Sequence, residues 1–423
     1  MPYKKLALAL LVGPLVFAQD ATPSLLSWGH RLELRGDYRW SDDERHGVKF
    51  PFEPPQFETT VDPGHHLELN VADLQLDFGY GEIFAARAKV HAEAKHRRNP
   101  TSSDRQVDAD ELWVRVGRKP EFLERPEGTT FFLQAGKFPK MERQPVRLLE
   151  SYGLAATAFN RFEDLQLLVG GTVGRNFYWR VQAANGNPLF LRDPNALAGD
   201  NGTPEEFTAK GRELGTGFPI LYNAETEDLF FDDANLQIGE AVGYRWQRAD
   251  ETLGFDVIAF HYQRDLADSV NLTGTRYGGD LDLLSVQEVV PNARLPFHGR
   301  NKEEWGARVY SEWHNATVIA QFTNQDIAGL KRNGWELEAG YRIPLALGYV
   351  ESIQPALRAS ALDNHFGPSP PFPAPSVWWD WRKYDAGVRV GLRHGVDVTA
   401  EYTTHSINSV TPLSLRETLV TVR

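Results

Sequence analysis

The sequence predicts an all-β fold: a transmembrane antiparallel β-barrel of about sixteen strands, with short periplasmic turns at one end and long extracellular loops at the other. Three observations predict it. From His30 onward apolar and charged residues alternate with period two, and no heptad or 3.6-residue stripe competes. The alternating segments run about 10–13 residues, the length a tilted strand needs to cross a bilayer, whereas strands of soluble sandwiches average about 5–6. Aromatic residues gather at their ends: Tyr38 and Trp40, Phe78 and Tyr80, Phe177 and Trp179, Tyr244 and Trp246, and Trp378, Trp379 and Trp381. Amphipathic rings favour the headgroup level, so these positions read as interfacial girdles.

Composition narrows the alternatives. The chain has 423 residues, a net charge of −12, 24% charged residues, a mean hydropathy of −0.42 and no cysteine. Such polarity excludes a multi-span helical membrane protein, since only residues 6–18 approach an apolar run. The lack of cysteine excludes disulfide scaffolds, thiol nucleophiles and cysteine-ligated metal centres. The acidic balance argues against nucleic acid as a partner.

The elements follow in order. Lys4 and Lys5 precede the apolar stretch, which closes on Val16-Phe17-Ala18 before Gln19. A charged start, a short apolar core and small residues before the cut predict a signal peptide over 1–18 and a single barrel domain over 19–423. Its destination is the outer membrane of a Gram-negative cell, where a cysteine-free chain escapes oxidative mispairing. In the first strand Leu32, Leu34, Gly36, Tyr38 and Trp40 oppose Arg31, Glu33, Arg35, Asp37 and Arg39. Five charges on one strand face cannot enter a dry core. The pattern returns in 84–95, 305–313, 335–343 and 384–393.

Strands are predicted near 29–40, 66–80, 82–95, 107–118, 130–138, 161–171, 175–186 and 234–248. Eight more follow near 252–264, 303–314, 316–325, 333–344, 350–362, 381–393, 395–406 and 412–422. Tight connections at Gly81, 172–174, 249–251, Asn315, 345–348 and His394 each join an even strand to the next odd one, as periplasmic turns should. A phase slip between Val71 and Leu74 reads as a β-bulge, and Pro355 removes a ladder donor from the thirteenth strand. A further strand at 281–290 would break the even count, so that stretch is assigned to a loop.

Sixteen strands leave an aqueous channel, where eight would fill with side chains. The predicted chemistry is therefore permeation of small anionic or hydrophilic solutes by a protein whose other partner is membrane lipid. Arg35, Arg39, Arg87, Lys89, Arg115, Arg180, Arg308, Arg342 and Arg389 fall on inward faces, interspersed with carboxylates such as Glu33, Asp37, Glu336, Glu338, Asp385 and Glu401. That wall is nearly balanced, and the acidic excess sits in the 187–229 connection. The third outer connection, 139–160, differs. It carries Lys140, Arg143 and Arg147, with Lys137 and Arg161 beside it, against Glu142, Glu150 and Glu163. Folded into the lumen, it would make a constriction that attracts anions; left in solvent, it would only scatter charge.

No GxSxG, HExxH, Walker or Rossmann glycine pattern occurs, so neither an enzyme nor a cofactor or metal is expected. His65, His66 and His261 read as strand-end residues. The classes that stay open are a channel, an outer-membrane enzyme and a surface receptor, in that order.

The stretches Asp110-Glu111-Leu112-Trp113-Val114-Arg115-Val116, Gln134-Ala135-Gly136-Lys137-Phe138-Pro139, 163–171 and 179–187 with Ala184-Asn185-Gly186 carry a likeness. Together they resemble the phosphate-selective porin O and P family, in which a "GKF" strand end opens the third loop. The resemblance implies a sixteen-stranded homotrimer that conducts anions, phosphate among them, and places Lys137 at the matching "GKF" position. The chain departs from it in lacking an evident N-terminal coiled coil and in finishing on Thr421-Val422-Arg423, where such barrels finish on an aromatic. More loosely, Leu32-Glu33-Leu34-Arg35-Gly36-Asp37-Tyr38-Arg39 resembles the opening strand of alginate-export barrels, which implies passage of an acidic saccharide.

Overall fold

A computed structural model describes residues 26–41, 46–48, 57–59, 64–93, 107–159, 163–185, 223–224, 236–265, 272–273, 301–327, 329–365, 380–408 and 413–423. The predicted signal peptide, the 281–290 stretch, Arg161, Trp378 and Trp379 lie outside the described residues.

Sixteen long strands form one closed antiparallel sheet. They are β1 Leu26–Ser41, β2 Gly64–Tyr80, β3 Phe84–Glu93, β4 Val107–Gly117, β5 Thr130–Pro139 and β6 Glu163–Val173. Next come β7 Phe177–Ala184, β8 Gln237–Gln247, β9 Leu253–Asp265, β10 Asn301–Trp313 and β11 Ala316–Ile327. The circle continues with β12 Leu330–Tyr341, β13 Val350–Asn364, β14 Asp380–Leu392, β15 Asp397–Asn408 and β16 Leu413–Val422. Each strand pairs with its neighbours in sequence, and β16 returns to β1 in the register Gly36↔Val422, which leaves the barrel without an edge. Two short ladders, 46–48 with 57–59 and 223–224 with 272–273, stand apart from it.

Every predicted strand is present. The structure relocates the predicted bulge by a few residues: Arg35 pairs with Val71 but Gly36 with Leu69, so Asn70 is the extra residue and Val71 is turned inward, 8% exposed. Pro355 leaves its mark on the neighbouring strand. β12 pairs with β13 down to Gly340↔Ala356, breaks at Arg342, and resumes over Ile343–Leu347 with Ile343↔Ile353. The break lies where Pro355 has no N–H to give.

Outward faces are apolar. On β10, Trp305 and Trp313 both face out, eight positions apart on one strand. At about 3.3 Å per residue and a tilt of about 40° that separation is about 20 Å, close to the height of a barrel's lipid band. Leu74, Leu76, Phe78 and Tyr80 on β2 and Leu112, Val114 and Val116 on β4 continue the exposed apolar surface. Trp381 corrects the girdle prediction: it is 1% exposed and faces inward, its indole N–H donating to His405 Nδ1 at 3.0 Å. Its odd position on β14 shares the parity of buried Lys383 and Asp385.

Candidate functional site

The lumen is built by two chain segments that enter it. The first is the connection between β5 and β6. Instead of standing in solvent it crosses the barrel, carries the short helix α1 Leu154–Ala158, and docks on β12, β13, β14 and β15. Counted around sixteen strands, that is the wall diametrically opposite its origin.

Docking uses both charge and shape. Glu338 accepts the backbone N–H groups of Leu148 and Leu149 at 2.6 and 3.1 Å. Glu401 accepts the N–H of Glu150 and, at 2.7 Å, the hydroxyl of Ser151. Arg358 donates to the Ser151 carbonyl at 2.8 Å and to Asp385 at 2.9 Å, and Lys383 donates to the Tyr152 carbonyl. Charge-assisted bonds of this kind are roughly twice as strong as neutral ones. Glycines supply the sockets. A Cβ on Gly387 would come within 2.6 Å of Leu149, one on Gly334 within 2.6 Å of Phe159, and one on Gly340 within 3.1 Å of Leu148. Wall glycines thus admit the loop's apolar knobs, and Leu154, Ala158 and Phe159 join Leu362, Trp381, Ile407 and Leu415 in a buried cluster.

One loop carboxylate holds the tip. Glu150, 1% exposed, faces Arg389 at 2.5 Å, Arg423 at 3.4 Å, Arg35 at 3.9 Å and Arg147 at 4.0 Å. Burial pushes its pKa up, but the surrounding guanidiniums, Arg147 first, hold it below the usual carboxylate range.

The uncovered half of the lumen, toward β1–β8, β10 and β11, encloses a cavity of 920 Å³. Its lining includes ten cations and four carboxylates. The carboxylates are Asp77, Glu111, Glu121 and Glu163; Asp77 and Glu111 pair with Arg87, and Glu163 with Arg143. Arg308 binds Asp256 on the inward face of neighbouring β9, and Arg245 lies 4.5 Å over the Tyr178 ring, whose hydroxyl also donates to Asp256 at 2.9 Å. Trp113 has Arg87 at 5.5 Å and Arg115 at 5.3 Å from its ring centre. Among the described residues neither Arg115 nor Arg180 has a carboxylate within ion-pair distance.

Of the predicted lining residues, Arg87, Lys89, Arg115, Lys140, Arg143, Arg147, Arg180 and Arg308 meet at this cavity. Several are partly neutralised: Arg87 by Asp77, Lys89 by Asp73 at 2.9 Å and Asp110 at 2.7 Å, and Arg143 by Glu163. Arg35 and Arg389 serve the Glu150 anchor instead, and Arg39 is buried on β1, 3% exposed. Two residues fall elsewhere. Arg342 is exposed at the break in β12, where the strand parity that would aim it inward is lost. Lys137 pairs in register with outward-facing Leu112 and Leu165, and its ammonium meets Asp108 at 3.1 Å. Ordinary alternation sets that orientation, since Gln134 and Phe138, both 2% exposed, take the inward positions of β5, so the "GKF" pattern locates Lys137 without aiming it into the cavity.

The second inward segment is residues 118–129, between β4 and β5, which periodicity left unassigned. Phe122 meets Tyr310 edge-on at 4.6 Å, and buried Leu123 joins Tyr310 and Ile319. Arg245 donates to the carbonyls of Glu121 and Glu124 at 3.0 and 2.9 Å. Lys119 is the lining cation that sequence reasoning missed. The available signal was the apolar pair Phe122-Leu123 inside an otherwise charged turn.

No protein-family model and no curated relative matches the chain. Among solved structures, the outer membrane channel DcaP of Acinetobacter baumannii is similar over 94% of this chain and 96% of its own, at 9% identity and a TM-score of 0.52. OprB of Pseudomonas putida is similar over 93% of both chains at 10% identity and a TM-score of 0.49. An anion-selective porin from Comamonas acidovorans is similar over 94% of this chain and 99% of its own, at 10% identity and a TM-score of 0.47. At such identity the likeness to DcaP is one of fold, a closed antiparallel barrel.

Proposed function

We propose that this protein is an outer-membrane diffusion channel for small hydrophilic solutes that favours anions, with the inward loop as its constriction. The carrying observation is the charge of the space the loop leaves open, ten cations against four carboxylates. Lys140, Arg245 and Arg308 are buried behind the surface, and a passing anion meets the other seven cations, while the carboxylates of the opposite wall are spent on loop N–H groups, Arg358 and Lys383. Outward apolar faces and the aromatic rows support placement in a membrane, and the export signal predicted over residues 1–18 supports delivery to the outer one. The resemblance to phosphate-selective porins adds phosphate as a solute and a homotrimer as the assembly.

The test is conductance of the purified protein in planar bilayers carrying chloride, with phosphate and a uronic-acid oligomer as competitors. Discrete steps that phosphate blocks support the reading as stated. Block by the oligomer alone moves the substrate to acidic saccharides, and binding without conductance replaces the channel with a receptor.

A further inference from the structure

The 118–129 connection has no need to enter the barrel. Antiparallel neighbours close with two to five residues, and the other described connections at this end are that short. This one reaches from β4 and β5 to β8, β10 and β11, a path across the mouth and not along the rim. It is also built to stay there. Arg118 bridges Glu124 at 2.6 Å and Glu82 at 3.1 Å, the Glu124 carboxylate caps the N–H of Glu121 at 2.7 Å, and Arg308 sits 5.3 Å over Phe122. Leu123 holds φ +64°, a left-handed conformation uncommon for leucine, and is 7% exposed. Burial in the lumen is what keeps it in that shape.

We propose that residues 118–129 form a strap across the turn end of the barrel, a second selectivity barrier in series with the inward loop, with Lys119 selecting small anions. The proposal rests on the channel reading above and adds a barrier that the reading does not require. Lys119 lines the same cavity as Arg115 and Arg180, and among the described residues none of the three has a carboxylate within ion-pair distance. Its ammonium lies 5.7 Å from the Phe132 ring on β5. The groups that face it are Arg180 from β7, Arg115 and Glu111 from β4, and Glu121 from the strap. Burial first, then Arg180 and Arg115, pull its pKa down to about 7, against smaller opposition from Glu121 and Glu111. Lys119 is therefore charged on the acid side of neutrality and uncharged on the alkaline side, so anion preference at the strap falls as pH rises.

Two variants test the strap in planar bilayers, with heat-modifiable migration confirming an intact barrel. For Lys119→Gln, the anion-to-cation permeability ratio on the acid side of neutrality drops about tenfold, because one charge about 6 Å from a passing ion in a water-like dielectric shifts anion and cation by about threefold each, in opposite senses. Its ratio also stops changing with pH, and Lys119→Arg restores a high ratio at both ends of the range. Leu123→Ala unseats the strap and raises single-channel conductance. Wild-type ratios and conductance in both variants overturn the proposal. A wild-type channel with no anion preference overturns the channel reading instead, and the conductance of Leu123→Ala still decides whether the strap is a barrier.

Discussion

The two halves of the lumen wall carry similar kinds of side chain and end in opposite states. On β12–β15 the inward carboxylates Glu336, Glu338, Asp385 and Glu401 are all 3% exposed or less, Glu336 accepting from the loop's Gln144 side chain and the others tied to the loop backbone, to Arg358 or to Lys383. On β3–β10 the cations Arg87, Arg115 and Arg180 reach the open cavity. Strand periodicity makes both walls polar without choosing which one meets water. The loop chooses. Its N–H groups favour carboxylates, so it settles on the acidic wall and leaves the basic one facing the path.

Arg358→Ala should part the loop from the acidic wall. Asp385 and Glu338 would lose the guanidinium 2.9 and 3.6 Å away, and Ser151 would lose its donor. An uncompensated buried charge costs about 3–5 kcal/mol, enough to release the loop. The expected outcome is proteolytic cleavage within 140–159, higher conductance and a shift toward cations as the acidic wall is wetted. An unchanged conductance would show that the loop does not divide the lumen.

A shape change is next in size. Gly387→Val fills the socket of Leu149 and also meets the Ala400 carbonyl, 2.9 Å from the added Cβ. Overpacking of this kind costs about 1–3 kcal/mol, and an increase in open-channel noise with selectivity retained is expected.

Glu150→Gln keeps the shape of the loop tip but frees charge on Arg35, Arg147, Arg389 and Arg423, so anion preference should rise modestly in reversal-potential measurements. Its pH behaviour has a defined sign. Because the folded-state pKa of Glu150 is depressed, the docking it supplies is complete above the ordinary carboxylate pKa and lost as pH falls through the lowered value. Wild-type conductance should therefore become unstable in acid, and that component should be absent from the glutamine variant.

Much of the barrel is written in local pattern, and each success or failure has a physical cause. Alternation sets the face of every residue while a strand runs straight, so the inward placement of Arg87, Arg115, Arg180 and Arg308 was legible. Parity fails where the backbone slips, as at Asn70 and Arg342. The loop's cations were visible in sequence, but its route was not, because docking depends on contacts between residues as distant as Leu149 and Gly387. The same holds for Phe122 and Tyr310 in the strap. The family pattern identified Lys137 by position, and orientation is not part of such a pattern.

The central claim is that the loop hides acid and leaves base. The reversal potential of the wild-type channel across a steep potassium chloride gradient tests it most directly. A sign set by chloride is predicted, and it should invert or collapse in Arg358→Ala. A wild-type potential set by potassium would contradict the account.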